Sequence, residues 1–347
     1  MVPRVLRGPL ASRIVSGLVE TVAAAAVGVA VAGLVLYLYG APVGAGLRLL
    51  LASAWSDPGY LLGKASPLVL TGLAFALPLY AGLFNIAGEG MAYLGALSAL
   101  VASRLAPWLG PLPGLAAGAA AGALLGLLVG WLRVSLQVNE VVSSVMLNWA
   151  LYYLSIYAIV VWLADPLFPT QSLPVPPGAR VPRSPVDLLF ILSIAAAAAG
   201  HLLLHRSRLG FSLRVTGYSE KTSLYAGFNP GRARLLGMVA AGVFGGLAGS
   251  LVVQGLPPYS IDVTLSVLYG VGFTGISVSL LARNQPLAMP LSALFIASLV
   301  IGGQFMEESL GTPPELADLA TGVIVVALAA PEAYRMLAAR LRGGRRG

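Results

Sequence analysis

Apolar residues fill most of this chain in blocks of about twenty, the length that crosses a hydrocarbon layer. The blocks fall at about 14–39, 66–84, 88–105, 113–132, 140–163, 186–205, 235–254, 263–282, 286–303 and 315–334. The pattern predicts an all-α polytopic membrane protein with about ten transmembrane helices, some of them broken. It forms one transmembrane domain over 1–347, with a first anchor helix at 14–39 and a core bundle over 66–334. Arg4, Arg7 and Arg13 precede the first block, as in a signal peptide, but its apolar run exceeds the roughly 7–15 residues of a signal core. It therefore reads as an anchor.

Between the blocks lie three long polar connections, 40–64, 164–186 and 206–234. The second, DPLFPTQSLPVPPGARVPRSP, is too rich in proline to continue a helix or a sheet interior, and reads as a stiff loop. If the N-terminus is cytoplasmic, sixteen Arg and Lys residues fall inside and five outside: Arg48, Lys64, Arg104, Arg180 and Arg183. That is the positive-inside asymmetry. An even number of crossings also returns the basic tail LRGGRRG to the cytoplasm.

Composition sharpens the class. The chain is 58% hydrophobic and 10% charged, where soluble domains carry about a quarter charged residues. The net charge of +8 sits between apolar blocks, as topology requires, so nucleic acid is not implied. There is no cysteine, and His201 and His205 are too few for a histidine-rich metal centre. No metal site and no catalytic constellation is expected, and no GxxxxGK[ST] string offers an ATP site.

Polar groups inside the apolar blocks carry the functional signal. In GLFNIAGEG (82–90), Asn85 and Glu89 are four residues apart and share a helix face. On a straight helix they would sit at a membrane boundary. If the glycines break the helix, they lie deeper and face a wet cavity, because irregular backbone is not tolerated against lipid. Both readings are open. Asn139, Glu140, Ser143, Ser144 and Asn148 line the start of the fifth block, where Glu140 suits the helix dipole. LYGVGFTGISVSLLARNQPLAMP (268–290) adds a glycine-dotted helix with Phe273. Together these suggest a polar conduit past Asn85, Glu89, Asn148 and Phe273. The stripes Gly118, Gly122, Gly126, Gly130 and Gly242, Gly246, Gly249 read as packing faces. LAAGAAAGALLGLLVG (115–130) also echoes LLGMVAAGVFGGLAGSLV (235–252), either by duplication or by shared Ala/Gly richness.

The 206–234 connection is basic at both ends and holds one short capped helix in SEKTSLYAGFNP, with Leu224, Tyr225 and Phe228 as its apolar side. A plain solvated loop has no need of such a face.

On GLFNIAGEGMAYLGA, NEVVSSVMLNWA, GYSEKTSLYAGFNPGRAR and GFTGISVSLLARNQPLA, in that order, the chain resembles permease subunits of ABC importers. The superfamily is that of branched-chain amino acid and simple-sugar permeases, and the nucleoside branch is the most similar. The amino-acid branch carries an NFAHGE-like string where this chain reads FNIAGEG, and the ribose type a DLSVG-like one. Ala87-Gly88 replaces the commoner Gly-Ala order.

The resemblance implies ATPase subunits that hold the ATP and magnesium, a second and different permease chain, an external substrate-binding protein and a place in the plasma membrane. It implies no enzymatic activity in this chain. It makes 206–234 the coupling loop, with Gly217, Glu220, Lys221, Leu224, Tyr225, Ala226 and Gly227 at the ATPase. Docking of the binding protein is expected at Arg180 and Arg183 and, in QFMEESLGTPPELAD (304–318), at Glu307 and Glu308. Simple sugars and branched-chain amino acids are the alternative substrates. An ion-coupled secondary transporter is a remoter alternative, since only Glu20, Glu89, Glu140 and Asp262 could relay ions.

Overall fold

The computed structural model describes residues 26–182 and 187–329. Among the described residues every regular element is helical, and six helices are long and apolar enough to cross a membrane. Their order is α1 (Ala26–Tyr39), α2 (Val43–Ala52), α3 (Pro58–Leu79), α4 (Gly88–Leu105), α5 (Leu112–Ser135) and α6 (Glu140–Ala158). Then come α7 (Leu188–Arg206), α8 (Arg208–Tyr218), α9 (Glu220–Tyr225), α10 (Pro230–Gly255), α11 (Val271–Leu281), α12 (Met289–Leu310) and α13 (Pro314–Ala329). Asp57–Ala297 makes one compact unit, and the residues up to Ser56 and from Ser298 make a second.

Most predicted boundaries hold to within a few residues, and four differ for identifiable reasons. The 40–64 connection is largely helical: it holds α2, and α3 begins eight residues before the predicted 66, because Asp57 caps Tyr60 N (3.0 Å) and Pro58 pre-sets the first turn. Of the block at 263–282 only the eleven residues of α11 are helical, about 16 Å, too short to cross. The 206–234 loop contains two helices rather than one, because Ser207 accepts from Gly210 N at 3.0 Å and starts α8. Within 304–318 the helix α12 continues to Leu310, and only 311–313 separate it from α13. The predicted residues before Ala26 and after Ala329 lie outside the described part.

α10 is the core of the larger unit. It packs on α5, α4 and α3, and glycines bring its backbone into contact with those of α5 and α4. A Cβ on Gly246 would overlap the Gly118 carbonyl, and one on Gly122 the Gly242 carbonyl; one on Gly249 would overlap the Ala92 carbonyl. The two glycine stripes read from the sequence therefore face each other. The similar segments 115–130 and 235–252 pack as partners. In lipid, where apolar burial gives no advantage over acyl chains, such close contact is what holds helices together.

Candidate functional site

The segment between α3 and α4 re-enters the bundle. Gly82 adopts φ +78° and closes α3, with Leu83 N donating to Pro78 O (3.1 Å) and Gly82 N to Leu79 O (3.0 Å). Pro78 has no N–H to give the Ala74 carbonyl four residues earlier. Asn85 supplies the missing donor: its Nδ2 reaches Ala74 O at 2.9 Å, while its Oδ1 accepts from Ala87 N at 3.0 Å. The chain thus runs back along α3 before α4 begins. Met91 packs on Gly245, fifteen residues beyond Pro230, so α4 starts about 22 Å along an α10 about 39 Å long. The break places the motif deep inside the bundle rather than at its edge.

Three buried polar side chains fix this break. Asn85 is 1% exposed and Glu89 2%. Asn148, from α6, accepts from Gly90 N (2.9 Å) and donates Nδ2 to Ile86 O (2.9 Å). Glu89 caps α11 from a different helix. Its Oε1 accepts from Tyr93 Oη (2.7 Å) and Gly270 N (2.6 Å), and its Oε2 from Gly272 N (2.6 Å) and Phe273 N (3.4 Å). Gly270 has φ +79° and no side chain to cap the helix it starts. Glu89 takes that place.

Of the four predicted conduit residues, three are thus engaged by backbone. Phe273 alone presents a half-exposed side chain. It borders a groove with Tyr93, Trp149, Tyr152 and Tyr269, at the mouth of a cavity of about 50 Å³. Tyr152 is the hub, 6.0 Å from Tyr93, 5.7 Å from Trp149 and 6.3 Å from Tyr269, ring centre to ring centre. Trp149 and Tyr269 stay exposed. A cavity this size holds a water or two and is far below the roughly 300 Å³ of a small-molecule pocket.

At the α8–α9 end, Leu224 is 60% and Tyr225 93% exposed, and Lys221, Ala226 and Gly227 are exposed beside them. Gly227 turns at φ +78°, as the capped helix requires. Gly217 lies within α8 against Tyr80 rather than beside the exposed α9 residues. Phe228 does not join the Leu224 face but packs on Phe211, 5.5 Å away. Glu220 has a partner already in Arg234, 3.3 Å away.

At the far end of α10, residues 164–182 pair with 256–263. Ser172 N donates to Ile261 O (2.8 Å), Val263 N to Thr170 O (2.9 Å) and Val175 N to Tyr259 O (2.7 Å). Gln254 Nε2 gathers Ser103 Oγ, Pro111 O and Ala179 O, each within 3.1 Å. Arg180 is part of this platform, its guanidinium 4.1 Å from the Tyr259 ring centre and its Nε bonded to Val175 O. Arg183 lies outside the described residues. Glu307 and Glu308 are exposed on the last turns of α12.

Residues 58–329 match the family described as branched-chain amino acid transport system / permease component. The chain belongs to this permease family. Relatives include the guanosine ABC transporter permease protein NupP of Bacillus subtilis, 29% identical over 91% of this chain and 94% of that one. The glucose ABC transporter permease protein TsgB13 of Haloferax volcanii is 31% identical over 82% and 79%. The nucleoside ABC transporter permease protein NupB of Lactococcus lactis is 28% identical over 78% of each. No solved structure matches.

The permease is a multi-pass membrane transport component, and the described acids named above as possible ion relays are already engaged. Glu89 is saturated by four donors, Glu140 pairs with Arg133 at 3.1 Å, and Asp262 accepts from Ser266 N and Oγ at 3.0 Å and from Thr264 Oγ1. Glu20 lies outside the described residues. The reading from sequence missed Trp149, Tyr152 and Tyr269. The available signal was in NWALYY, where Tyr152 stands four residues after Asn148 and so shares its face of α6.

Proposed function

We propose that this permease is the membrane half of an ATP-driven importer and that a nucleoside passes along the aromatic groove. The observation that carries this reading is the wall of Trp149, Tyr152, Tyr269 and Phe273, held beside a helix start that Glu89 fixes. Flat faces stack a base at about 1–3 kcal/mol each without demanding one hydrogen-bond pattern. That suits a conduit, which must bind weakly enough to release.

A second permease chain closes the groove. Val142, Met146, Trp149, Tyr153 and Tyr157 make an exposed apolar stripe on α6 next to it. Both termini are cytoplasmic, as the positive-inside asymmetry favours, and the plasma membrane is the site. ATP and magnesium belong to the ATPase subunits, which sit on Leu224 and Tyr225. The 164–182 platform, about 39 Å away along α10, receives the external binding protein. Arg180 shapes that platform, and Glu307 and Glu308, in the other unit, make a separate contact with the binding protein.

Trp149→Ala in cells that depend on this permease is expected to lower nucleoside uptake about ten-fold, the weight of one stacked base, with unchanged amounts in the membrane. Equal uptake in the variant would remove the groove from the path. Aromatic faces also stack on sugar rings, and a glucose permease is among the relatives. Glucose that competes as well as a nucleoside would favour that second reading.

Tyr225→Ala removes a side chain whose burial in a partner is worth about 1.5–3 kcal/mol. The expected result is a folded permease that no longer co-purifies with its ATPase. Unchanged co-purification would mean that α9 is not the contact.

A further inference from the structure

α8 touches the re-entrant segment directly. A side chain on Gly217 would overlap the Tyr80 carbonyl and stand 3.3 Å from Gly82 N, so the last turn of α8 lies backbone to backbone on the turn that ends α3. Tyr80 reaches onward to α11. Its Oη donates to Asn284 O at 3.2 Å, in the turn after α11 where Arg283 and Asn284 both take positive φ, 52° and 58°. The opposite end of α11 hangs on Glu89. Residues 80–89 therefore hold both ends of α11, which carries Phe273 into the groove and has Tyr269 just before it.

α9 is fixed to α8 by the buried pair Thr216 Oγ1 and Ser223 Oγ, 2.9 Å apart. A force on Tyr225 thus moves α8 with α9. The other route into the bundle is α10, but glycine contacts join α10 to α5 and α4 along its length. At the end of α3, Pro78 removes a rung of the ladder and a side chain, Asn85, replaces it from outside the helix.

We propose that Tyr80 and Gly217 are positioning residues that carry the ATPase-driven movement of α8 and α9 to α11, and so to the groove. This rests on the reading of α9 as the ATPase contact. The fixed core would be α4, α5 and α10, to which Glu89 and the close approach of Gly272 pin the near end of α11, and the moving part α8, α9, the Tyr80 turn and the far end of α11 at Asn284.

The test uses the whole complex in proteoliposomes, comparing wild type with Tyr80→Phe, Gly217→Ala and Tyr225→Ala. Solute uptake and ATP hydrolysis are measured together. Tyr80→Phe keeps the ring and loses only the bond to Asn284 O. The expected result is normal ATPase attachment and continued hydrolysis, with uptake per ATP lowered about three- to ten-fold, the scale of one hydrogen bond. A purely structural role would lower uptake and hydrolysis together and leave their ratio unchanged.

An unchanged ratio in Tyr80→Phe overturns the relay. Gly217→Ala should act the same way where it assembles; where it does not, Tyr80→Phe decides. If Tyr225→Ala keeps its ATPase, the reading of α9 falls and the relay with it. If Tyr225→Ala loses the ATPase while Tyr80→Phe couples normally, only the relay falls.

Discussion

Gly246→Val is expected to leave almost no folded permease in the membrane. The new Cβ would overlap the Gly118 carbonyl and come 3.0 Å from Gly122 Cα, so backbone rather than a flexible side chain would have to move. Overpacking costs about 1–3 kcal/mol where side chains can shift. Separating α10 from α5 would cost more, because helices in lipid have little besides such contact to hold them together. Gly322 in α13 has open space where its Cβ would be, and Gly322→Ala should behave as wild type. Fluorescence-detected size-exclusion of tagged variants checks both. A wild-type peak for Gly246→Val would mean that the α5–α10 contact is wrong.

Glu89→Ala is the second large effect expected. It strands the N–H groups of Gly270, Gly272 and Phe273 and the Tyr93 hydroxyl in a buried place. Each unsatisfied group costs about 1–3 kcal/mol, a large share of a stability of about 5–15 kcal/mol. Glu89→Gln keeps the shape and one acceptor oxygen, but turns an NH2 group toward backbone donors. It should lie between wild type and Glu89→Ala. Thermal stability in detergent and protease cleavage near Gly270 are the measurements. The expected order of stability is wild type, Gln, Ala, with transport lost in Ala. If Glu89→Ala is as stable as wild type and Glu89→Gln is not, the capping role assigned to this residue is wrong.

Local signals were legible in the sequence. The short helix in SEKTSLYAGFNP is capped as read, by Ser219, and the stripe Gly118–Gly130 meets Gly242 and Gly246 as a packing face. The glycines around Asn85 and Glu89 left a straight helix and a break both open, and the structure has the break. The partners of these residues were not legible. Glu89 is bonded to residues more than 180 positions away, and nothing in GLFNIAGEG specifies Gly270. Asn85 reads as a conduit amide until Pro78 is seen to leave the Ala74 carbonyl without a donor. α8 was hidden because Arg208 and Arg214 break its apolar pattern, although Leu213 is buried. The pairing of 164–182 with 256–263 joins two loops that carry no repeat or periodicity.

These residues divide into two groups. Asn85, Glu89 and Asn148 satisfy a backbone that must be irregular inside the membrane. Trp149, Tyr152, Tyr269 and Phe273 offer the faces that a solute would meet. In the proposed path, polar residues in the middle of the bundle fix the backbone, and aromatic ones supply the lining.

The most direct test is uptake by proteoliposomes that contain this permease, its ATPase, its partner permease and the external binding protein. Labelled guanosine is the probe, with unlabelled nucleosides, glucose and leucine as competitors, each with and without ATP inside. The expected result is ATP-dependent guanosine uptake that other nucleosides suppress, that glucose and leucine do not, and that Trp149→Ala lowers about ten-fold. Uptake suppressed by glucose or leucine but not by nucleosides, or uptake that proceeds equally without ATP, would contradict the account.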